Sequence, residues 1–192
     1  MGNQGRRFHA EPLDTDEVTA LVEACESASS VRGARDRAFV RVLHGCGLRC
    51  NEALGLEVKD LDFERGAVRV LHAKGGKSRL SGGLVNGTAT AVRAHLMTAG
   101  ITSGLVFRTG KGGRIDTSHY RRLFPVLAKR AGIQKRVHPH GLRHSHASTL
   151  ADKGVPVHQI QRQLGHVSLQ VTQRYIDHLN PQAVIDGVNG AS

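Results

Sequence analysis

Five short patches of this chain carry side chains suited to attack on a phosphodiester. In chain order they are Gly47-Leu48-Arg49 with Glu52, Lys74 in a glycine-rich turn, and His140-Gly141-Leu142-Arg143-His144. Leu164-Gly165-His166 and Tyr175 complete the set. Breaking a phosphodiester requires a nucleophile, neutralisation of a pentacovalent phosphorane, and a proton for the leaving oxygen. Arginine suits the second task, because its planar fork pairs with two phosphate oxygens at once. His140 and Arg143 are three residues apart, so a helix places them on one side. Tyr175 follows His166 by nine residues, a path that can bring a phenol and an imidazole to one phosphate.

Each residue also has a plainer reading. A lone Arg in a basic protein is usually a solvated charge, and Lys74 and Lys77 could simply solubilise a hairpin tip. Glu52 could pair with any surface Arg, and a Tyr on a terminal helix is usually packing. Coincidence of all of them in one chain is the less economical account. His138, His140, His144 and His146 invite a metal reading, since i and i+4 histidines can chelate. However, there is no HExxH, and no Asp or Glu lies between Asp116 and Asp152. Neither a metal nor a cofactor is therefore expected.

Composition points to a polyanionic partner. Lys and Arg total 27 against 16 Asp and Glu, a formal charge of +11, which favours nucleic acid through counterion release. The 192 residues suffice for one domain with its own core, and two Tyr, five Phe and no Trp make that core mainly aliphatic. Cys25, Cys46 and Cys50 have no framework spacing and read as buried small hydrophobes in a reducing cytosol. No apolar run approaches the roughly 20 residues of a membrane span. A cytoplasmic, nucleoid-associated protein is expected.

The elements that must position these residues read as mainly helical. Residues 1–10 read as a disordered lead-in or an engineered boundary. Asp14 to Glu17 open a helix with Val18, Leu21, Val22 and Cys25 as its stripe. A second helix covers about 34–45, ended by Gly45 and Gly47, and a short helix follows from Asn51 to Leu56. From 58 to 85 the period shifts to strands at 58–63, 67–71 and from Ser78, with turns at 64–66 and 73–77. Helices are expected at 86–99, 117–131, 140–153, 156–164 and 169–179, and a glycine-rich loop at 100–116. The fold class is α+β, mainly α, with one small three-stranded antiparallel sheet.

The ordered set GLRxxE, a hairpin Lys, HxLRH, LGH and a Tyr nine residues on resembles the catalytic domain of the tyrosine recombinases, the phage-integrase and Xer-like family. The resemblance runs from about Glu11 to Leu179, and it assigns a catalytic domain to 11–192. It implies that Tyr175 is the nucleophile, forming a 3′-phosphotyrosyl bond. It implies that Arg49 and Arg143 clamp the non-bridging oxygens and that Lys74 protonates the leaving 5′-oxygen, with Lys77 as the alternative donor. His140 would accept or relay the tyrosine proton, and His166 would hydrogen-bond the phosphate. Glu52 and His144 would support the site, and Lys77, Arg79, Arg121 and Arg122 would contact DNA. The implied partner is duplex DNA, bound by a homotetramer that passes through a Holliday junction. Without DNA, a monomer or weak oligomer is expected.

Two departures stand out. The family carries an additional N-terminal helical domain, expected to be absent here because about ten residues precede the matching stretch. After Arg79 the family continues with a Val-Pro-Leu-like strand, where this chain has Leu80-Ser81-Gly82-Gly83-Leu84. Competing readings are a DNA-binding regulator with an unused active site, a type IB topoisomerase-like enzyme, and a metal hydrolase built on the histidines.

Overall fold

A computed structural model describes residues 11–71 and 78–165. The expected lead-in at 1–10, the hairpin tip with Lys74 and Lys77, and the terminal segment with His166, Tyr175 and the helix at 169–179 lie outside the described residues.

The helices begin where the chain supplies caps. In α1 (Thr15–Glu23), the Asp14 carboxylate accepts from the Glu17 amide at 2.8 Å while the Glu17 carboxylate accepts from the Asp14 amide at 2.9 Å. This reciprocal box satisfies two donors that a helix start would otherwise leave unpaired. Ser30 caps α2 (Val31–Gly45) through the Gly33 amide, so that helix starts a turn earlier than its apolar stripe suggests. Asp116 caps α5 (Thr117–Arg130), and Pro139 occupies the first turn of α6 (Pro139–Asp152), where its missing N–H costs nothing. Between these lie α3 (Cys50–Leu54) and α4 (Asn86–Thr98). Helix α7 (Val157–Leu164) follows α6 and ends at Gly165, whose φ of 64° gives the left-handed cap.

The central helix is α2, flanked by α1, α4 and α6. Its Phe39 stacks on Tyr120 of α5 at 3.7 Å between centroids and meets Phe107 edge-on at 5.1 Å. The expected loop at 100–116 is pinned rather than free. Val58 N–H donates to Gly104 O, Val106 N–H donates to Leu56 O, and His95 Nε2 lies 2.8 Å from Val106 O. Val106 and Phe107 are thereby sunk into the core. A smaller apolar cluster of Ala147, Ile160 and Leu164 joins α6 to α7.

The sheet is antiparallel in the order β1 (Leu61–Asp62), β2 (Ala67–Leu71), β3 (Ser78–Gly82). The expected first strand at 58–63 is shorter than its sequence suggests. Asp60 accepts from the Glu57 amide at 3.0 Å and closes a 3-10 turn over Val58–Asp60, a local bond that outcompetes the ladder. In β3 the register sets Arg79 opposite Val70 and Ser81 opposite Val68. Since Val68 and Val70 face the core, Arg79 and Ser81 face inward with them, while Leu80 is left exposed. No helix among the described residues is long and apolar enough to cross a membrane.

Candidate active site

Four elements meet at the carboxylate of Glu52. The turn between α2 and α3 brings Arg49, β3 brings Arg79, α6 brings Arg143, and the end of α7 closes the group. The turn depends on Gly47, whose φ of 62° is the left-handed conformation that glycine tolerates. A Cβ there would lie 2.4 Å from His146 Cδ2.

Arg49 precedes α3, and its backbone N–H donates to Glu52 at 2.9 Å. Its Nη1 donates to the other Glu52 oxygen at 2.8 Å, and its Nη2 reaches the Gly165 carbonyl at 3.4 Å. The side chain remains 44% exposed, so a face of this guanidinium is open to solvent. Arg143 is the opposite case, at 2% exposure. Its Nη1 donates to Gly47 O at 2.7 Å and its Nη2 to Leu164 O, and Nη1 lies 3.7 Å from Glu52. One buried arginine therefore ties the turn between α2 and α3 to the last turn of α7.

Arg79, grouped by sequence with the DNA contacts, has its guanidinium on Glu52 instead. Nη1 and Nη2 donate to the two carboxylate oxygens at 3.0 and 2.9 Å, and the side chain is 11% exposed. Burial alone would raise the Glu52 pKa. The Arg79 hydrogen bonds, the Arg49 amide and the charges of both arginines outweigh it and hold the group down at about 2. Glu52 is thus an anion throughout the physiological range.

His140 is exposed near the start of α6. Its ring stands 4.6 Å from that of His144, nearly perpendicular, and 6.4 Å from that of His138. Burial around the ring, then the charges of Arg143, His138 and Arg49, hold its pKa below the ordinary imidazole value. A neutral imidazole beside two guanidiniums can accept a proton. His138 caps α6 through Nδ1, which accepts from the Gly141 amide at 3.0 Å. That bond leaves the ring neutral, with its proton on Nε2. Among the described residues no group of three His, Cys, Asp or Glu is placed to hold a metal ion.

Arg121 and Arg122 are exposed on α5, apart from the Glu52 cluster. Arg121 is near enough to Cys50, at the start of α3, for its charge to act on that thiol, and Arg114 reaches Asn51 O at 3.5 Å. Sequence reasoning missed the role of Arg79 and missed Gln163 altogether. Arg79 has an inward role that only strand register reveals. Gln163 sits one residue before the LGH patch, and its backbone carbonyl accepts from Arg79 Nε at 3.3 Å and from Ser81 Oγ at 3.3 Å.

A model described as the phage integrase family matches residues 11–182. The chain is 38% identical over 171 residues to the tyrosine recombinase XerC of Rhodospirillum centenum, covering 86% of this chain and 50% of the relative. It is 34% identical over 185 residues to the tyrosine recombinase XerD of Mycobacterium leprae, covering 89% and 57%. The chain thus spans about half the length of the curated relatives it matches. Among solved structures, XerA recombinase superposes with a TM-score of 0.80 at 32% identity, over 94% of this chain and 65% of that one. XerH recombinase in a post-cleavage complex with a palindromic difH substrate gives 0.76 at 25% identity, over 93% and 52%.

Proposed function

The chain belongs to the phage integrase family, and from that premise we propose that it is the catalytic domain of a site-specific DNA recombinase. It cuts and rejoins duplex DNA through its own tyrosine, with no need of metal ion or ATP. The supporting observation is the convergence of Arg49 and Arg143, from separate elements, on one ionised carboxylate beside a neutral-leaning His140.

In this reading the Tyr175 oxygen attacks phosphorus, and the new bond forms as the bond to the 5′-oxygen breaks. The phenolic proton passes to His140, and Lys74 supplies a proton to the departing oxygen, with Lys77 as the alternative donor. Arg49 and Arg143 neutralise the phosphorane, His166 hydrogen-bonds it, and Glu52 and His144 support the arrangement. An incoming 5′-hydroxyl reverses the sequence. The number of phosphoester bonds is conserved throughout, so no external energy is required. A phenol of pKa near ~10 is a poor nucleophile at neutral pH, and the guanidiniums lower that barrier.

The other tyrosine is a poor candidate. Tyr120 is 0% exposed, its hydroxyl donates to Asp36 at 3.1 Å, and burial followed by the Asp36 charge pushes its pKa well up. Since the chain has two tyrosines, this supports Tyr175 as the nucleophile.

Duplex DNA is the partner, met by the exposed cations Arg121 and Arg122 and by Lys77. Four protomers act on two duplexes through a Holliday junction, in the cytoplasm on the nucleoid. The experiment is covalent trapping. Incubated with nicked duplexes in EDTA, the protein forms an SDS-resistant adduct that Tyr175→Phe abolishes while DNA binding persists. An adduct of equal yield from the variant overturns the reading.

A further inference from the structure

Glu52 lies among three guanidiniums, and the proposed reaction uses only two of them. Its oxygens are 2.8 Å from Arg49 Nη1 and 3.7 Å from Arg143 Nη1, so this anion sits beside the cations that would hold a phosphate. An anion so placed competes with the phosphate unless another cation occupies it. Arg79 does so with the bidentate fork that guanidinium and carboxylate favour. We propose that Arg79 is a positioning residue for the phosphate site: by occupying both oxygens of Glu52, it lets this carboxylate brace Arg49 without cancelling the charge that Arg49 and Arg143 present. The inference rests on the recombinase reading for its substrate, a DNA phosphate.

The placement of Arg79 fits this role. It is a largely buried charge on the core-facing side of β3, opposite Val70, a position that normally takes an aliphatic residue. Its Nε is held by the Gln163 carbonyl, and the turn at Gly165 is packed so closely on it that a Cβ there would lie 2.9 Å from Arg79 Cδ. The guanidinium is therefore fixed before any ligand arrives. With Arg79 present the four groups sum to two positive charges, three guanidiniums less one carboxylate. Without it they sum to one, and Glu52 turns wholly toward the phosphate clamp.

A purely structural brace would also harm the protein when removed, so the test is a double-mutant cycle. Arg79→Met, Glu52→Gln and the double variant are compared with the parent chain for affinity to a nicked duplex and for rate of adduct formation, below each variant's unfolding temperature. Arg79→Met is expected to weaken affinity about 10-fold and slow adduct formation about 100-fold, the usual scale for one charged contact at a reacting phosphate. Adding Glu52→Gln to it is expected to restore affinity toward the parent value, because the uncompensated anion is gone. A double variant no tighter than Arg79→Met, or Arg79→Met that binds as the parent does, overturns the proposal. Should Arg79→Met fail to fold, the same cycle with Arg79→Lys decides. Lysine keeps the charge but not the fork, so a smaller loss relieved by Glu52→Gln supports the proposal, and a loss that Glu52→Gln does not relieve overturns it. Absence of a Tyr175-dependent adduct in the parent chain would defeat the recombinase reading alone, while the affinity arm would still decide the role of Arg79.

Discussion

The side-chain amide of Gln163 pairs with the peptide of Gly82 in both directions. Gly82 N–H donates to Gln163 Oε1 at 3.0 Å, and Gln163 Nε2 donates to Gly82 O at 2.9 Å. Among the described residues, one helical side chain thus stands in for a neighbouring strand at the edge of β3, and the same nitrogen reaches Cys46 O at 3.4 Å. The sheet, the turn that follows α2 and α7 are joined at this point. Gln163→Ala is expected to cost about 1–3 kcal/mol, the penalty for leaving partly buried peptide groups unpaired. Hydrogen exchange at the Gly82 amide should accelerate in step. Unchanged protection there would show that the pairing contributes nothing.

Arg49 and Arg143 should separate cleanly on mutation. Arg49 is half open, and exposed ion pairs contribute little, so Arg49→Ala is expected to shift stability by less than about 1 kcal/mol. Its adduct rate should fall by about 10²–10³. Arg143→Ala removes the donor that serves the Gly47 and Leu164 carbonyls, so it should lose both cleavage and several degrees of melting temperature. Thermal melts beside trapping assays check the contrast.

The two tyrosines make an internal control. Tyr120→Phe deletes a buried hydroxyl bonded to Asp36, which Arg35 also pairs at 2.9 Å. The expected cost is about 1–2 kcal/mol of stability, with adduct yield intact below the melting temperature. Adduct loss in Tyr120→Phe with a folded protein would count against Tyr175 as the nucleophile.

Gly47→Ala should be far more damaging than an exposed glycine change. It requires both a left-handed backbone and a Cβ placed against His146 and Leu164. Because the Gly47 carbonyl also receives Arg143, displacement of the turn moves the clamp. Gly110→Ala, which meets nothing within 4 Å, is the control, expected to match the parent in melting temperature and adduct rate.

Stability should fall in acid over two ranges. Burial, then neighbouring positive charge, pushes His44 and His146 down to about 4 from the ordinary 6.5. Below about 6.5 the unfolded chain takes up protons that the folded chain refuses, so stability declines until about 4, then levels for these groups. Each contributes a slope of up to about 1.4 kcal/mol per pH unit. Glu52, held at about 2 against an ordinary 4.5, has the carboxylate pattern. Its contribution is whole above about 4.5 and is lost as pH falls toward 2. Melting temperatures across this range, with His44→Gln flattening the upper limb, check the assignment. An unchanged upper limb would remove His44 as its source.

Much of the molecule was legible in the residues alone, and the rest was not, for one physical reason. Helix starts at Asp14 and Pro139, the turn at Gly47, and the candidate chemistry of Arg49, Glu52, His140 and Arg143 all rest on local rules: cap chemistry, glycine conformation and helical spacing. Strand alternation offers two settings, and nothing local chooses between them. The sequence 78–82 reads equally well with Leu80 inward. Pairing with β2, and the presence of Glu52 and Cys46 O beneath, turn Arg79 and Ser81 inward instead. Likewise, Tyr120 lies in a helix like any other until Asp36 of α2 is seen to bind its hydroxyl. The sequence by itself determined which groups could act on a phosphate. Only the tertiary structure decided which charges face one another, because Arg79, Glu52 and Arg143 meet through contacts between elements that lie far apart along the chain.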